Sequence, residues 1–406
     1  MPLFRKPIFG PAAALAAVIL FALWLGAAPL PLQGAEGPPP VGGPWNIEEL
    51  RKPPEAAWLK RDGRLRELLY AGEPYQGKPT RVFAYYAVPE AGGKKAPAMV
   101  LVHGGGGKAF AEWANMWARR GYVAIAMDLA GRGAGRERLP DGGPDQREED
   151  KFQSIAGGLL DTWPYHAAAN AIRAVSLLAA QPEVDPQRIG ITGISWGGYL
   201  TALVSGLDHR LKVAIPVYGC GFIYRNSPWE EVLNGLPAEQ RELWIENFDP
   251  SKYLPLARAP MLWVNGTNDF AYRMDNYRDS FRLPQGPRAL SIVVNRKHSH
   301  PDGWAPLEIE LFANQHLNGG APLPELSGLV VRNGQVEARV RSQVPLTRAE
   351  LIYTYEDPAS EKSLWRSAPA EITAGRLRAA LPNPAPRAIF LNVTDERGAT
   401  VSTQYW

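Results

Sequence analysis

The chain has 406 residues, 45% of them hydrophobic and 21% charged, with a formal net charge of +3. That composition fits a large buried core in one or two domains, and the near-neutral balance points to no nucleic-acid or anionic-membrane partner. The single cysteine, Cys220, excludes an intrachain disulfide; with no acid or base beside it, it reads as a small buried residue rather than a nucleophile.

In chain order, Arg5 and Lys6 precede a wholly apolar run from Ala12 to Leu25, followed by small and Pro residues. A bilayer span needs about 20 apolar residues, so the shorter run predicts a signal peptide over 1–35, with cleavage after Ala35. Gln33 departs from the small-residue cleavage pattern, and the apolar run extends to Ala28, so an uncleaved anchor is the alternative. The signal predicts a secreted or periplasmic protein. Residues 36–80 are expected to be a Pro/Gly linker to 46 and then a mostly polar, helical lead-in. The main domain is expected over 81–320. Its predicted strands are Arg81–Val88, Ala98–Val102, Tyr122–Met127, Arg188–Thr192, Leu211–Val217, Met261–Val264 and Ala289–Val294. Its predicted helices are Ala109–Arg120, Tyr165–Ala180, Trp196–Gly206 and Glu308–Leu317. Residues 130–150 read as a long loop, and 219–258 as an insertion with a helix over Ala238–Glu246.

Strands alternating with helices predict a doubly wound, mostly parallel α/β sheet covered on both faces, with ligands bound beyond the carboxyl ends of its strands. From 325 to 406 the helical period disappears and short alternating runs take over. Asn333-Gly334 is a hairpin-turn signal, and the segment predicts a small antiparallel β-sandwich.

The chemistry gathers at the predicted strand ends. Gly193-Ile194-Ser195-Trp196-Gly197 matches G-x-S-x-G between a strand and a helix, the context in which a sharp turn lifts a serine hydroxyl out of the sheet. The same turn aims the Trp196 N–H at a developing oxyanion. A serine hydroxyl needs a base, and the base an orienting acid, both further along the chain. Asp269, on the loop after Met261–Val264, is the candidate acid; Asp275, in a predicted helix, is the weaker one. After Ala289–Val294 come His298 and His300. His298, closer to the strand end, is the favoured base, and His300 otherwise lines the pocket. His103-Gly104-Gly105-Gly106-Gly107 follows another strand; Gly105, with Gly106 second, is the expected second oxyanion donor. A phosphate loop does not fit, because Gly107-Lys108 is followed by Ala109 rather than Ser or Thr. His298-Ser299-His300-Pro301-Asp302 looks like part of a metal motif, but Gly303 stands where another histidine would be needed. No metal and no cofactor are expected. Of the 13 Trp, Trp45, Trp163, Trp229 and Trp304 sit in loop-like contexts suited to stacking on a ligand or to packing. In the insertion, Trp229, Trp244 and Phe248 are the candidates to line a cleft.

Gly193 to Tyr199, the glycine loop from His103 and Asp128-Leu129-Ala130-Gly131-Arg132-Gly133 together resemble the α/β-hydrolases that join dienelactone hydrolases, acetyl xylan esterases and prolyl-oligopeptidase-type serine hydrolases. The resemblance covers about residues 80–318. It implies a Ser195–Asp269–His298 triad, an oxyanion hole from the Gly105 and Trp196 N–H groups, and ester cleavage through an acyl-enzyme. Dienelactone hydrolases proper carry a cysteine nucleophile where this chain has Ser195. A prolyl-oligopeptidase-type enzyme would carry a β-propeller, for which residues 36–80 are too short. The expectation is an acetyl xylan esterase-like hydrolase of a small-molecule or polysaccharide ester, with no membrane partner beyond an uncleaved anchor. A peptidase or generalist carboxylesterase is the alternative within enzymes. A non-catalytic carbohydrate-binding protein on the same fold is the alternative outside them.

Overall fold

A computed structural model describes residues 43–90 and 95–405. The signal read at 1–35 and most of the linker lie outside the described residues. Nine strands form one sheet in the order β1-β2-β3-β5-β4-β6-β7-β8-β9. They are β1 (Ala56–Lys60), β2 (Leu65–Ala71), β3 (Arg81–Ala87), β4 (Ala96–Val102), β5 (Val123–Met127), β6 (Val184–Ile194), β7 (Val213–Val217), β8 (Met261–Gly266) and β9 (Arg288–Val293). Pairing is antiparallel from β1 to β5 and parallel from β5 through β9. The central strands β5, β7 and β8 are buried along their whole length, as continuous apolar runs require when helices cover both faces. Those helices include Ala111–Arg119, Trp163–Ala179, Trp196–Leu207 and Leu307–Leu317.

The expected helical lead-in is corrected. Over 47–80 only Ile47–Leu50 is α-helical, and β1 and β2 extend the sheet outward from β3. The main sheet therefore begins at Ala56, not at 81. Leu, Arg, Glu and Ala in Leu65–Ala71 are good helix formers, but pairing with β3 overrides that propensity. Leu68 and Tyr70 join the main core, and Leu69 packs with Phe83 and Ala109 in a second cluster.

The second sheet comprises β10 (Glu325–Leu326), β11 (Val330–Arg332), β12 (Gln335–Arg341), β13 (Leu346–Thr354), β14 (Trp365–Thr373), β15 (Arg376–Ala380), β16 (Ala388–Asp395) and β17 (Thr400–Ser402). All are antiparallel, and Asn333-Gly334 makes the expected tight turn, both residues at positive φ. The two halves of the sandwich share β14. Its residues 365–370 pair with β13 and 371–373 with β15, so the sheet is continuous and nearly closed. This domain covers the β9 edge of the main sheet. Ile292 N donates to Ser402 Oγ at 2.9 Å, and Asn392 Nδ2 donates to Ile292 O at 3.1 Å. A bare edge strand invites unwanted pairing, and here it is capped from within the chain.

Candidate active site

β4 lies where the strand order reverses, with β5 on one side and β6 on the other. In doubly wound sheets the ligand crevice opens beyond the carboxyl ends of the strands at such a point. Ser195 follows β6 directly and the helix Trp196–Leu207 starts one residue later. Ser195 has φ 59 and ψ −119, a strained conformation for a residue with a Cβ, held because the surroundings over-determine it. Its N–H donates to Val217 O of β7 at 2.8 Å. Gly193 and Gly197 explain the small residues around it. A Cβ on Gly193 would run into the Gly197 carbonyl, and one on Gly197 into the Val102 carbonyl of β4.

The glycine loop after β4 lies against this turn. A Cβ placed on Gly104 would stand 3.0 Å from Ser195 Cβ. Both sides of Gly104 are clamped by histidines. Its N–H donates to His300 Nε2 at 3.0 Å, and its carbonyl accepts from His103 Nδ1 at 2.7 Å. His103 Nε2 in turn accepts the Leu129 N–H at 2.9 Å. These bonds fix both rings as neutral tautomers protonated on Nδ1. Burial holds both well below the ordinary histidine value, at about 4. Gly107 N–H closes the turn on Gly104 O at 3.1 Å, and Gly106 takes φ 65. From outside, Arg136 Nη2 donates to Gly106 O at 3.1 Å.

Asp269 is buried on the loop after β8, where its Oδ1 accepts the Ala271 and Tyr272 N–H groups at 2.9 and 2.7 Å. Its Oδ2 accepts from His298 Nδ1 at 2.7 Å. The His298 ring stacks at 4.6 Å on Tyr218, the residue following β7. That brings it to the strand end beside Ser195, with Nε2 as its remaining nitrogen. The structure thus separates the two histidines, His298 against the acid and His300 against the glycine loop. Asp275 lies in the helix Met274–Phe281 and accepts from Asn226 Nδ2 at 2.9 Å.

The Trp196 side chain is buried among Trp163, Phe152, Tyr199 and Trp229. Half-buried Trp229 bridges Trp196 and Tyr272, with ring centroids at 4.6 and 5.1 Å. It alone of the three insertion candidates stands at the site. Trp244 and Phe248 are corrected to core residues, fully buried, with Trp244 Nε1 donating to Lys151 O at 2.7 Å. Trp45 and Trp163 are core as well, and Trp304 packs on Phe110 and Trp113. Sequence reading missed Lys151. Its Nζ lies 4.9 Å from the Trp196 ring and 5.7 Å from Trp163, and burial pushes its ammonium down to about 8. Nothing in the local pattern of Glu148–Lys151 marks it. Among the described residues no group of three or more His, Cys, Asp or Glu is arranged to hold a metal, and no helix is long and apolar enough to cross a membrane.

A strained serine between strand and helix, a glycine loop against it and a carboxylate–imidazole pair at neighbouring strand ends decide the fold family. The architecture is that of the α/β-hydrolases. An acetyl xylan esterase (AXE1) family model matches residues 64–225. The structure superposes on an acetyl xylan esterase from Paenibacillus sp. R4 with a TM-score of 0.55, at 21% identity, covering 67% of this chain and 92% of that one. A second, from Thermoanaerobacterium sp. JW/SL YS485, gives a TM-score of 0.53 at 17% identity, covering 69% and 95%. Among curated proteins, a putative carboxymethylenebutenolidase of Salmonella typhi is 29% identical over 149 residues, 36% of this chain and 52% of its own length. An uncharacterized peptidase of Bacillus subtilis is 30% identical over 98 residues, 22% of this chain and 14% of its own length. The chain thus spans about half, or less, of these curated relatives.

Proposed function

We propose that this protein is a serine hydrolase that cleaves carboxylic esters through an acyl-enzyme, and that it acts outside the cytoplasm as an acetyl esterase on acetylated carbohydrate. The observation that carries the reading is the Asp269–His298 couple on the loops after β8 and β9, at the same end of the parallel strands as strained Ser195 after β6. In this scheme Ser195 attacks the ester carbonyl as His298 Nε2 takes its proton. Asp269 fixes the imidazole tautomer and stabilises the imidazolium. The carbonyl oxygen becomes an oxyanion received by the N–H groups of Trp196 and Gly105, with Gly106 beside them. His298 returns its proton to the leaving alcohol, then activates the water that releases the acid. Half-buried Trp229, packed between the Trp196 and Tyr272 rings, supports a short acyl group by narrowing the side of the site next to Trp196. The names of the AXE1 family and the two esterase neighbours, together with the signal-like N-terminus, support the acetyl and polysaccharide assignments.

The test is burst kinetics on a chromogenic acetate ester, followed by acetylated xylan, longer acyl esters and a peptide amide. Ser195→Ala is expected to abolish the burst and nearly all turnover. Retention of more than a few per cent of the activity would overturn the mechanism. Cleavage of the amide in preference to all esters would overturn the substrate class.

A further inference from the structure

The loop carrying Asp269 is held from the other domain. Asn268, the residue before Asp269, donates both amide hydrogens to the loop between β13 and β14, to Glu361 O at 2.8 Å and Ser363 O at 2.7 Å. Its Oδ1 accepts from Thr267 Oγ1 at 2.6 Å, and Thr267 Oγ1 accepts the Asn295 N–H at 3.2 Å. The carboxamide of Asn268 therefore ties the acid loop, the start of the histidine loop and the C-terminal domain at one point. An ion pair reinforces it, with Arg273 Nη2 lying 3.1 Å from Glu361 Oε2. Arg273 also bonds Asn226 Oδ1, and Asn226 Nδ2 reaches Ala359 O at 3.5 Å. The receiving loop is itself stiffened. Ser363 is buried with its hydroxyl on Asp357 O, Leu364 N donates to Glu356 Oε2 at 2.8 Å, and Thr354 Oγ1 donates to Leu364 O at 3.0 Å.

We infer that the C-terminal domain is a working part of the active site: through Asn268 it sets the position of Asp269, and Asn268 is a positioning residue for the catalytic acid. The inference rests on the Ser195–Asp269–His298 reading. Asn268 and Asp269 share one planar peptide, with Cα atoms held about 3.8 Å apart, so a shift of the Asn268 backbone carries the Asp269 amide with it. The Asp269–His298 bond is 2.7 Å long, and a misplacement of about 1 Å at such a contact costs on the order of 100-fold in rate. An appendage that bound carbohydrate alone would have no need to grip this residue.

The experiment compares full-length Asn268→Ala and Asn268→Asp with the parent, counting active sites with a fluorophosphonate. Asn268→Asp keeps the size but removes both donors and sets a carboxylate against two carbonyls. Both variants are expected to lose about 10- to 100-fold in kcat per titrated serine, with KM on a soluble acetate ester within twofold. A loosened Asp269 supports the imidazolium less, so the acid limb of the kcat/KM profile moves to lower pH. A purely structural contact would lower Tm and leave kcat per site and that limb unmoved; this outcome overturns the inference. Glu361→Gln, which breaks only the ion pair, is expected to lose about threefold by the same readouts and decides the matter if the Asn268 variants do not fold. Failure of the parent to label at Ser195 overturns the triad instead, which separates the two failures.

Discussion

The neutral imidazole of His300 has one lone pair, and the structure commits it to the Gly104 N–H at 3.0 Å. With Nδ1 carrying its proton, the ring cannot also serve as a base toward Ser195 without releasing the glycine loop. His298 is oriented the other way round. Its Nδ1 faces Asp269 and leaves Nε2 for the nucleophile. Their substitutions should therefore separate in kind. His298→Ala is expected to remove the base and cost about 10⁴-fold or more in kcat. His300→Ala keeps the base but frees the loop that aims an oxyanion donor, and is expected to cost about 10- to 100-fold, below the loss of a donor outright. Steady-state kinetics on an acetate ester distinguish them. Equal losses, or a larger loss at His300, would contradict this division of roles.

The β9 edge has its own cap, built from shared hydrogen bonds rather than from a further strand. Ser402 Oγ accepts from Ile292 N and lies 2.6 Å from Asn392 Oδ1, while Asn392 Nδ2 donates to Ile292 O. Removing either side chain leaves a buried partner unpaired, so Ser402→Ala and Asn392→Ala should each cost about 1–3 kcal/mol. Because the two side chains bond each other, the double variant should cost less than the two together, by roughly 0.5–3 kcal/mol. Urea denaturation of the four proteins measures this, and strict additivity would rule out the shared network. Such elements differ in how far they could be read from sequence. The turn at Ser195 was legible because its requirements are local: Gly193 and Gly197 are close-approach positions within a few residues of the nucleophile. The doubly wound sheet was legible from its buried apolar runs. β1 and β2 were not, because Leu65–Ala71 is composed of helix formers and becomes a strand only through pairing with β3. The bonds from Asn268 to Glu361 and Ser363 span 93 and 95 residues, and no local pattern encodes them. The choice between His298 and His300 likewise needed the Asp269 and Gly104 contacts, which are long-range.

Among the described residues, burial pushes four histidines toward the neutral form, His103, His166 and His300 strongly and His316 in the same direction. His103, His166 and His300 are each lowered from 6.5 to about 4. The unfolded chain takes up their protons first, so each contributes stability that is complete above pH 6.5 and is lost as pH falls toward 4. Asp128 acts in the opposite sense. Burial raises it from 3.8 to about 6, so the folded chain binds its proton more readily, and its penalty is relieved as pH falls through that window. Burial raises Asp249 in the same direction; the histidines outnumber the two aspartates, and the net expectation is a falling urea midpoint from pH 6.5 to 4. His166 isolates the effect, since its ring is buried and lies outside the Ser195 cluster. Its ring meets Tyr75 and Tyr165 edge-on, both at 5.4 Å, a contact that a phenyl ring preserves. At pH 5 the unfolded-state protonation of His166 costs about 2 kcal/mol relative to pH 7.5, from 1.5 pH units below the unfolded value at about 1.4 kcal/mol each. His166→Phe should therefore narrow the stability gap between pH 7.5 and pH 5 by about that amount, while leaving acetate-ester kcat at pH 7.5 unchanged. An undiminished gap would mean that His166 is protonated in the folded protein and that the acid sensitivity arises elsewhere.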